Sequence, residues 1–139
     1  MDLKLFKKVI GDTPDLEHLC MHNWGEPLLH KEIFEMFDYA HQAGVKHIVM
    51  NTNGTLLTDK MINKIIESPL NIIRFSIDGS ADTFKRIRGV ELQKIKENIL
   101  RLKKAKETKR PELSMGVVFT VEEDTQEDVD NAISYLKNQ

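Results

Sequence analysis

The chain has 139 residues, of which 40% are hydrophobic and 30% are charged, and its formal net charge at pH 7 is −2. These values indicate one soluble globular domain, residues 1–139, that is long enough to bury a hydrophobic core. The apolar runs are shorter than the roughly 20 residues of a membrane span, and the first residues do not resemble a signal peptide. We therefore expect a cytoplasmic protein with no membrane partner.

The hydrophobic pattern predicts an initial helix followed by four strand-helix repeats. Helices are predicted at 3–10, at 31–43, from Thr58 to the Ser68-Pro69 stop, at 91–107 and from Thr125 onwards. Strands are predicted at 16–22, 45–50, 71–77 and 113–121. A loop that starts with Asp78-Gly79-Ser80 is expected between the third strand and the helix at 91–107.

Each predicted helix carries a stripe of apolar residues at helical spacing. The stripes are Ile33, Phe34, Phe37 and Ala40; Met61, Ile62, Ile65 and Ile66; Leu92, Ile95, Ile99 and Leu102; and Val129, Ala132, Ile133 and Leu136. Strands that alternate with such helices favour a parallel sheet with helices packed against it. Because no glycine-rich phosphate fingerprint follows any strand, the predicted α/β fold is an incomplete (β/α) barrel with about four strands rather than a dinucleotide-binding domain.

Basic charge is concentrated between Lys85 and Arg110, where eleven lysines and arginines occur against three glutamates. A basic helix can bind nucleic acid. This stretch has no aromatic residue and no glycine-rich loop to contact bases. We therefore interpret the charges as the solvent face of an amphipathic helix and expect no nucleic-acid partner.

The candidate metal ligands are few. The single cysteine, Cys20, excludes an internal disulfide and a closed cysteine-rich zinc site, and its apolar surroundings are typical of a buried structural thiol. A metal hydrolase could use His18, His22, His30 and Glu26. The spacing of His18 and His22 suits a metal pair on a helix, but four residues of the predicted strand span about 13 Å. We interpret the histidines as polar loop and surface residues.

Three loops, at 24–30, 51–58 and 76–80, contain most of the residues with chemical potential. Right-handed crossovers would bring the carboxyl ends of all the strands to one end of the sheet. Each loop motif taken alone is also common in ordinary turns. Their joint occurrence after three successive strands favours a ligand site at that end.

The first of these loops can approach a small zwitterionic ligand closely. Gly25 allows close contact with the backbone carbonyls, Glu26 adds an anionic acceptor and Pro27 fixes the turn. An ammonium group requires acceptors of this kind. The loop is therefore a candidate site for a ligand ammonium.

The third strand offers complementary groups. Ser76 and Asp78 are two residues apart on a strand, so their side chains point to the same side. Short polar side chains of this type suit ribose hydroxyls, and Arg88, which precedes Gly89, could pair with a carboxylate. Together the loops match the needs of a zwitterion that carries a sugar.

Four segments together resemble the radical S-adenosylmethionine (SAM) superfamily. They are Gly25-Glu26-Pro27-Leu28-Leu29-His30, Asn51-Thr52-Asn53-Gly54-Thr55-Leu56-Leu57-Thr58, Ser76-Ile77-Asp78-Gly79-Ser80 and Arg86-Ile87-Arg88-Gly89. The most similar branch usually carries a C-terminal SPASM domain and includes anaerobic sulfatase-maturating and peptide-modifying enzymes. The resemblance implies strands two to five of a partial (β/α)6 barrel, and a peptide or protein substrate for the parent enzyme.

The resemblance also implies the roles of individual residues. Gly25, Glu26 and Pro27 would hold the ammonium of S-adenosylmethionine. Ser76 and Asp78 would contact the ribose or the carboxylate, Arg88 would contact the carboxylate and Asn53 would line the floor of the site. Trp24 stands where many members have a glycine.

The chain departs from the family upstream of these motifs. Family members bind a [4Fe-4S] cluster through a C-x3-C-x2-C loop after the first strand, and neither that loop nor that strand is found here. Cys20 cannot replace three ligands. We therefore expect the SAM-binding portion of a longer enzyme, inactive by itself. Its parent would cleave SAM reductively with the cluster to give a 5′-deoxyadenosyl radical.

A non-catalytic alternative remains open. Without the first and sixth barrel strands, the outer strands of the sheet would be unpaired edges, which recruit other strands. Two four-stranded halves could then close into an eight-stranded barrel, so a homodimer is a possible assembly.

Overall fold

The computed structural model describes residues 1–22, 24–120 and 130. The strands are β1 (His18–Cys20), β2 (His47–Thr52), β3 (Ile72–Asp78) and β4 (Ser114–Thr120). The helices are α1 (Leu3–Gly11), α2 (Ile33–Gln42), α3 (Asp59–Glu67), α4 (Ala81–Arg88) and α5 (Leu92–Lys109), with a 3₁₀ turn at Pro27–Leu29. The strands form one parallel sheet in the order β1-β2-β3-β4, which confirms the predicted parallel arrangement.

The main hydrophobic core lies between one face of this sheet and the helices. Alternate residues of β2 and β3 point into it, and Ile48, Met50, Ile73 and Phe75 are at most 1% exposed. The predicted helical stripes supply the other side of the core, although Phe34, Met61 and Ile99 are only partly buried. Removing this apolar surface from water is the principal stabilisation of the fold.

The opposite face of the sheet carries the remaining strand side chains, and we call it the inner face. It comprises His18 and Cys20 of β1, His47, Val49 and Asn51 of β2, Ile72, Arg74, Ser76 and Asp78 of β3, and Ser114, Gly116 and Val118 of β4. The rings of His18 and His47 stack on this face with their centroids 4.7 Å apart. The inner face is far more polar than the face that packs on the helices.

The segment that follows β3 is a helix, and the prediction of a loop there was wrong. Ser80 Oγ accepts a hydrogen bond from the Thr83 amide at 3.4 Å, and Gly89 ends α4 with a left-handed φ of 69°. Phe84 is the only residue of α4 that is fully buried. One buried residue in eight gives no apolar period, which is why the pattern did not predict this helix.

The interpretation of Cys20 as a buried thiol was also wrong, because its side chain is exposed. Strand β1 has only three residues, and among the described residues it pairs with β2 alone. The predicted last helix, from Thr125 onwards with Val129, Ala132, Ile133 and Leu136, falls on residues outside the described ranges. Within those ranges no helix is long and apolar enough to cross a membrane.

Candidate ligand site at the carboxyl ends of the strands

The loop after β1 turns sharply at Gly25. This residue has a φ of 101°, and a Cβ atom built there would meet nothing within 4 Å. Glycine is therefore required by the backbone conformation and not by lack of space. Pro27 then begins the 3₁₀ turn, where the Leu28 amide donates to Glu26 Oε1 at 3.1 Å. Trp24, just before the turn, is 97% exposed.

The carboxylate of Glu26 joins this loop to the loop after β2. Thr52 Oγ1 donates to Glu26 Oε1 at 2.7 Å, and the Asn53 amide donates to Glu26 Oε2 at 2.8 Å. Hydrogen bonds to an ionised carboxylate are among the stronger ones in proteins. With the Leu28 amide, three of about four acceptor positions are filled by protein donors. Glu26 is therefore a link between two loops, with one acceptor position left.

The loop after β2 is folded by its own side chains. Asn53 Oδ1 accepts from the Thr55 amide at 2.9 Å and from Thr55 Oγ1 at 2.6 Å. Gly54 follows with a φ of 73°, and a Cβ atom there would lie 3.0 Å from Ile95 Cγ2. The side-chain oxygen of Asn53, a residue expected to line the floor of the site, is thus used within the loop.

Helix α5 supports the same loop from below through a buried polar residue. Asn98 is 8% exposed, and its Nδ2 donates to the Gly54 carbonyl at 3.0 Å. Arg101 donates to Asn98 Oδ1 and to the Leu57 carbonyl, each at 3.2 Å. The motifs and the hydrophobic pattern did not indicate this pair. The available signal was a polar residue on the apolar stripe of α5, between Ile95 and Leu102.

The end of β3 and the end of α4 meet in an ion pair. Asp78 is 4% exposed, and its Oδ2 accepts from Arg88 Nε at 2.5 Å. The other oxygen, Oδ1, is buried without a hydrogen-bond partner among the described residues. Ser76 lies on the same face, two residues earlier, and is partly exposed. Arg88 was expected to pair with a ligand carboxylate, and here its Nε pairs with Asp78.

A second ion pair spans the turn between α4 and α5. Lys85 Nζ lies 2.6 Å from Glu91 Oε1 across the Gly89 turn. The hydrogen bond to the Glu91 carboxylate and its negative charge raise the pKa of Lys85 above its ordinary value. The lysine is thus charged throughout the neutral range.

The histidines do not converge on a metal. His30 lies with Nε2 at 2.9 Å from the Met1 carbonyl oxygen and accepts from the Glu32 amide at 3.2 Å. In the part of the chain that the structure describes, no group of three His, Cys, Asp or Glu side chains could hold a metal ion. The structure therefore does not support a metal hydrolase based on His18, His22, His30 and Glu26.

The fold and the linked loops define an α/β protein of the partial (β/α)-barrel class, with its candidate ligand site at the carboxyl ends of the strands. The family profile of the Radical SAM superfamily matches residues 4–136, and the chain belongs to this superfamily. The resemblance of the four motifs is thereby confirmed.

Two curated relatives illustrate this membership. The chain is 30% identical, over 131 residues, to the tungsten-containing aldehyde ferredoxin oxidoreductase cofactor-modifying protein of Pyrococcus furiosus, an alignment of 88% of this chain and 36% of that protein. It is 39% identical, over 67 residues, to the AdoMet-dependent heme synthase of Methanosarcina barkeri, with 48% of this chain and 19% of that protein covered. The chain thus spans well under half the length of either relative.

A solved structure has the same fold. The structure of anSMEcpe with bound AdoMet superposes with a TM-score of 0.71 over 96% of this chain and 37% of that one, at 20% sequence identity. The predicted incomplete (β/α) barrel is therefore confirmed.

Proposed function

We propose that this chain is the SAM-binding portion of a radical SAM enzyme. The observation that carries the proposal is the Glu26 carboxylate, which fastens the Gly25-Glu26-Pro27 turn to the loop after β2 at the ligand-binding end of the sheet. Family membership and a structural neighbour that holds AdoMet support the same ligand.

The polar groups at this end of the sheet suit a zwitterion that carries a sugar. The carbonyls around Gly25 and the free acceptor position of Glu26 would hold an ammonium group. The buried, unpaired Oδ1 of Asp78 would accept a hydrogen bond from a ribose hydroxyl, and the hydroxyl of Ser76 would donate or accept one. The guanidinium nitrogens of Arg88 that do not contact Asp78 would face a carboxylate. Enzymes of the superfamily cleave bound SAM reductively.

The [4Fe-4S] cluster does not fit the residues of this chain. The 139 residues contain one cysteine, and a cluster of this type takes three or four cysteine ligands. Cys20 is exposed on β1, and no described group of three ligands surrounds it. We therefore expect the chain by itself to bind SAM weakly and not to perform radical chemistry.

Titration of the purified chain with SAM, followed by calorimetry and by amide NMR shifts, tests the proposal. Glu26→Ala and Arg88→Ala should abolish the saturable response. Two exposed residues supply matched controls, because Glu67→Ala at the end of α3 and Arg86→Ala within α4 should leave it unchanged. A response that persists in both site variants, or no response from a well-folded chain, would contradict the proposal.

One observation favours the alternative, a non-catalytic remnant that self-associates. Among the described residues, β1 and β4 pair on one side only, and a groove of about 530 Å³ opens beside β1. Its lining includes Phe6, Ile10, Leu19 and Met21. Sedimentation velocity across a concentration series tests this candidate. A dimer that forms without SAM binding would favour it, and a monomer at the highest concentration would remove it.

A further inference from the structure

A row of polar residues crosses the inner face below the candidate SAM site. Asn51 of β2, Arg74 of β3 and Gly116 of β4 are direct partners in the strand register. The Met21 amide donates to the Val49 carbonyl at 2.7 Å and so extends the β1–β2 pairing by one residue. The next residue, His22, therefore reaches the level of Asn51. We call His22, Asn51 and Arg74 the inner-face row.

Arg74 has a charge that the described residues do not neutralise. Three other arginines, Arg88, Arg101 and Arg110, each contact a carboxylate. The Arg74 side chain has no ion pair and no hydrogen bond within the described ranges, although the residue is partly buried. A guanidinium presents five N–H donors, and no described protein group accepts from those of Arg74.

Gly116 lies beside the stem of the Arg74 side chain. A Cβ atom built at Gly116 would lie 3.7 Å from Arg74 Cγ, an ordinary van der Waals distance. The stem of Arg74 thus lies beside a position that has no side chain. Residue 116 therefore puts no side chain against Arg74 on the β4 side.

The other two residues of the row also have unpaired polar atoms. His22 Nδ1 and Asn51 Oδ1 are both buried, and neither has a hydrogen-bond partner among the described residues. Buried polar atoms are paired in the large majority of cases, so each exception requires a reason. These two buried atoms lie in one row with an arginine that has no described counter-ion, and a ligand that pairs with all three residues would account for them.

We propose that the inner-face row binds a carboxylate that carries an N–H group close by, as an acidic amino-acid residue does. Arg74 would hold the carboxylate through two parallel N–H donors. Asn51 Oδ1 would accept a hydrogen bond from the ligand N–H group. His22 Nδ1 would make a further hydrogen bond to the ligand. This inference rests on the proposed function in one respect. Ser76 is two residues from Arg74, or about 6.6 Å along the strand, so the bound group would lie next to SAM as the substrate.

The probe for a test is N-acetyl-L-aspartate N-methylamide, with the neutral asparagine analogue as its matched control. We expect saturable NMR shifts of the Arg74 Nε–H signal and of nearby amides, with affinity weaker by about tenfold or more for the asparagine analogue. Arg74→Gln should reduce affinity for the aspartate probe by a similar factor, and Arg86→Gln, at an exposed site on α4, should not. Equal responses to both probes, or an unchanged response in Arg74→Gln, would overturn the proposal.

A second variant keeps the test decisive should Arg74→Gln fail to fold. Asn51→Asp puts a carboxylate in register with Arg74, where it would pair with the guanidinium. We expect this variant to be folded and to lose the response to the aspartate probe. Undiminished binding in folded Asn51→Asp would contradict the assignment.

The same titrations separate this proposal from the SAM proposal. Arg74→Gln should leave the SAM response of the chain unchanged, because Arg74 lies below the SAM-contacting residues. A chain that binds SAM but not the aspartate probe would overturn the carboxylate site alone. A chain that binds the aspartate probe through Arg74 but not SAM would overturn the SAM proposal and leave a carboxylate site.

Discussion

The loop edge and the inner-face row differ in how their polar groups are satisfied. At the loop edge, Glu26, Asn53 and Asn98 have their hydrogen bonds within the protein. In the inner-face row, Asn51 and His22 have buried atoms without described partners, and Arg74 has no described counter-ion. Satisfied groups hold loops in position, whereas unsatisfied groups leave binding capacity for a ligand. The proposed SAM site is thus built on groups that also hold the loops, whereas the inner-face row holds no loop in position.

The largest effect on stability is expected from Gly54→Ala. The left-handed backbone costs an alanine about 1–2 kcal/mol. The 3.0 Å approach to Ile95 adds an overpacking cost of about 1–3 kcal/mol. Gly44→Ala is the control, because its φ is also positive but its Cβ would meet nothing within 4 Å. The free energy of unfolding of both variants is measured with urea. Equal losses in Gly54→Ala and Gly44→Ala would show that the loop moves away from Ile95 and that overpacking adds no cost.

Asn98→Ala should cause the next largest loss of stability. It leaves the Gly54 carbonyl without its partner and frees the donor of Arg101, and a buried unsatisfied group costs about 1–3 kcal/mol. The exposed Asn63→Ala on α3 is the control and should change stability little. Urea unfolding measures both. A loss no larger than that of the control would mean that α5 does not support the loop.

Glu26→Gln should have a smaller effect on stability and a clear effect on loop order. The amide keeps one acceptor oxygen but loses the charge that strengthens the bonds from Thr52 and the Asn53 amide, so we expect a loss of about 0.5–1.5 kcal/mol. Hydrogen exchange of the Asn53 amide should accelerate more than in Glu67→Gln. An unchanged exchange rate would show that the carboxylate does not join the two loops.

The smallest effect on stability is expected from Arg74→Met. Because no described carboxylate pairs with Arg74, its loss should change the free energy of unfolding by less than about 0.5 kcal/mol, or raise it. The larger loss of stability expected from Asn98→Ala distinguishes the loop edge from the inner-face row. A loss of more than about 1 kcal/mol, measured by urea unfolding, would assign Arg74 to the scaffold.

Much of the fold was predictable because local patterns express it directly. Thr58 caps α3 as expected, with the Met61 amide 3.2 Å from its hydroxyl oxygen, and Gly44 follows α2 with a φ of 95°. The alternation of apolar strands and helices predicted the parallel sheet that the structure shows. Helix α4 was not predicted, since its one buried residue, Phe84, gives no period.

The candidate site was predictable in position but not in its contacts. The motifs indicated Gly25, Glu26, Ser76 and Asp78 at a common edge, because parallel strands end together. The motifs did not indicate that Glu26 bonds to the loop after β2, which lies 26 residues further along the chain. Contacts of this kind depend on how two loops meet in space.

The sequence alone determined the α/β class, the parallel sheet and the superfamily, because these follow from hydrophobic periodicity and from motifs at strand ends. Only the tertiary structure decided which polar groups are paired. Helix packing brings Asp78 together with Arg88, and Asn98 together with Gly54. Arg74 has no described partner because the strand register puts it beside Asn51 and Gly116, neither of which carries a charge. Register and packing are properties of the assembled sheet, which no single segment specifies.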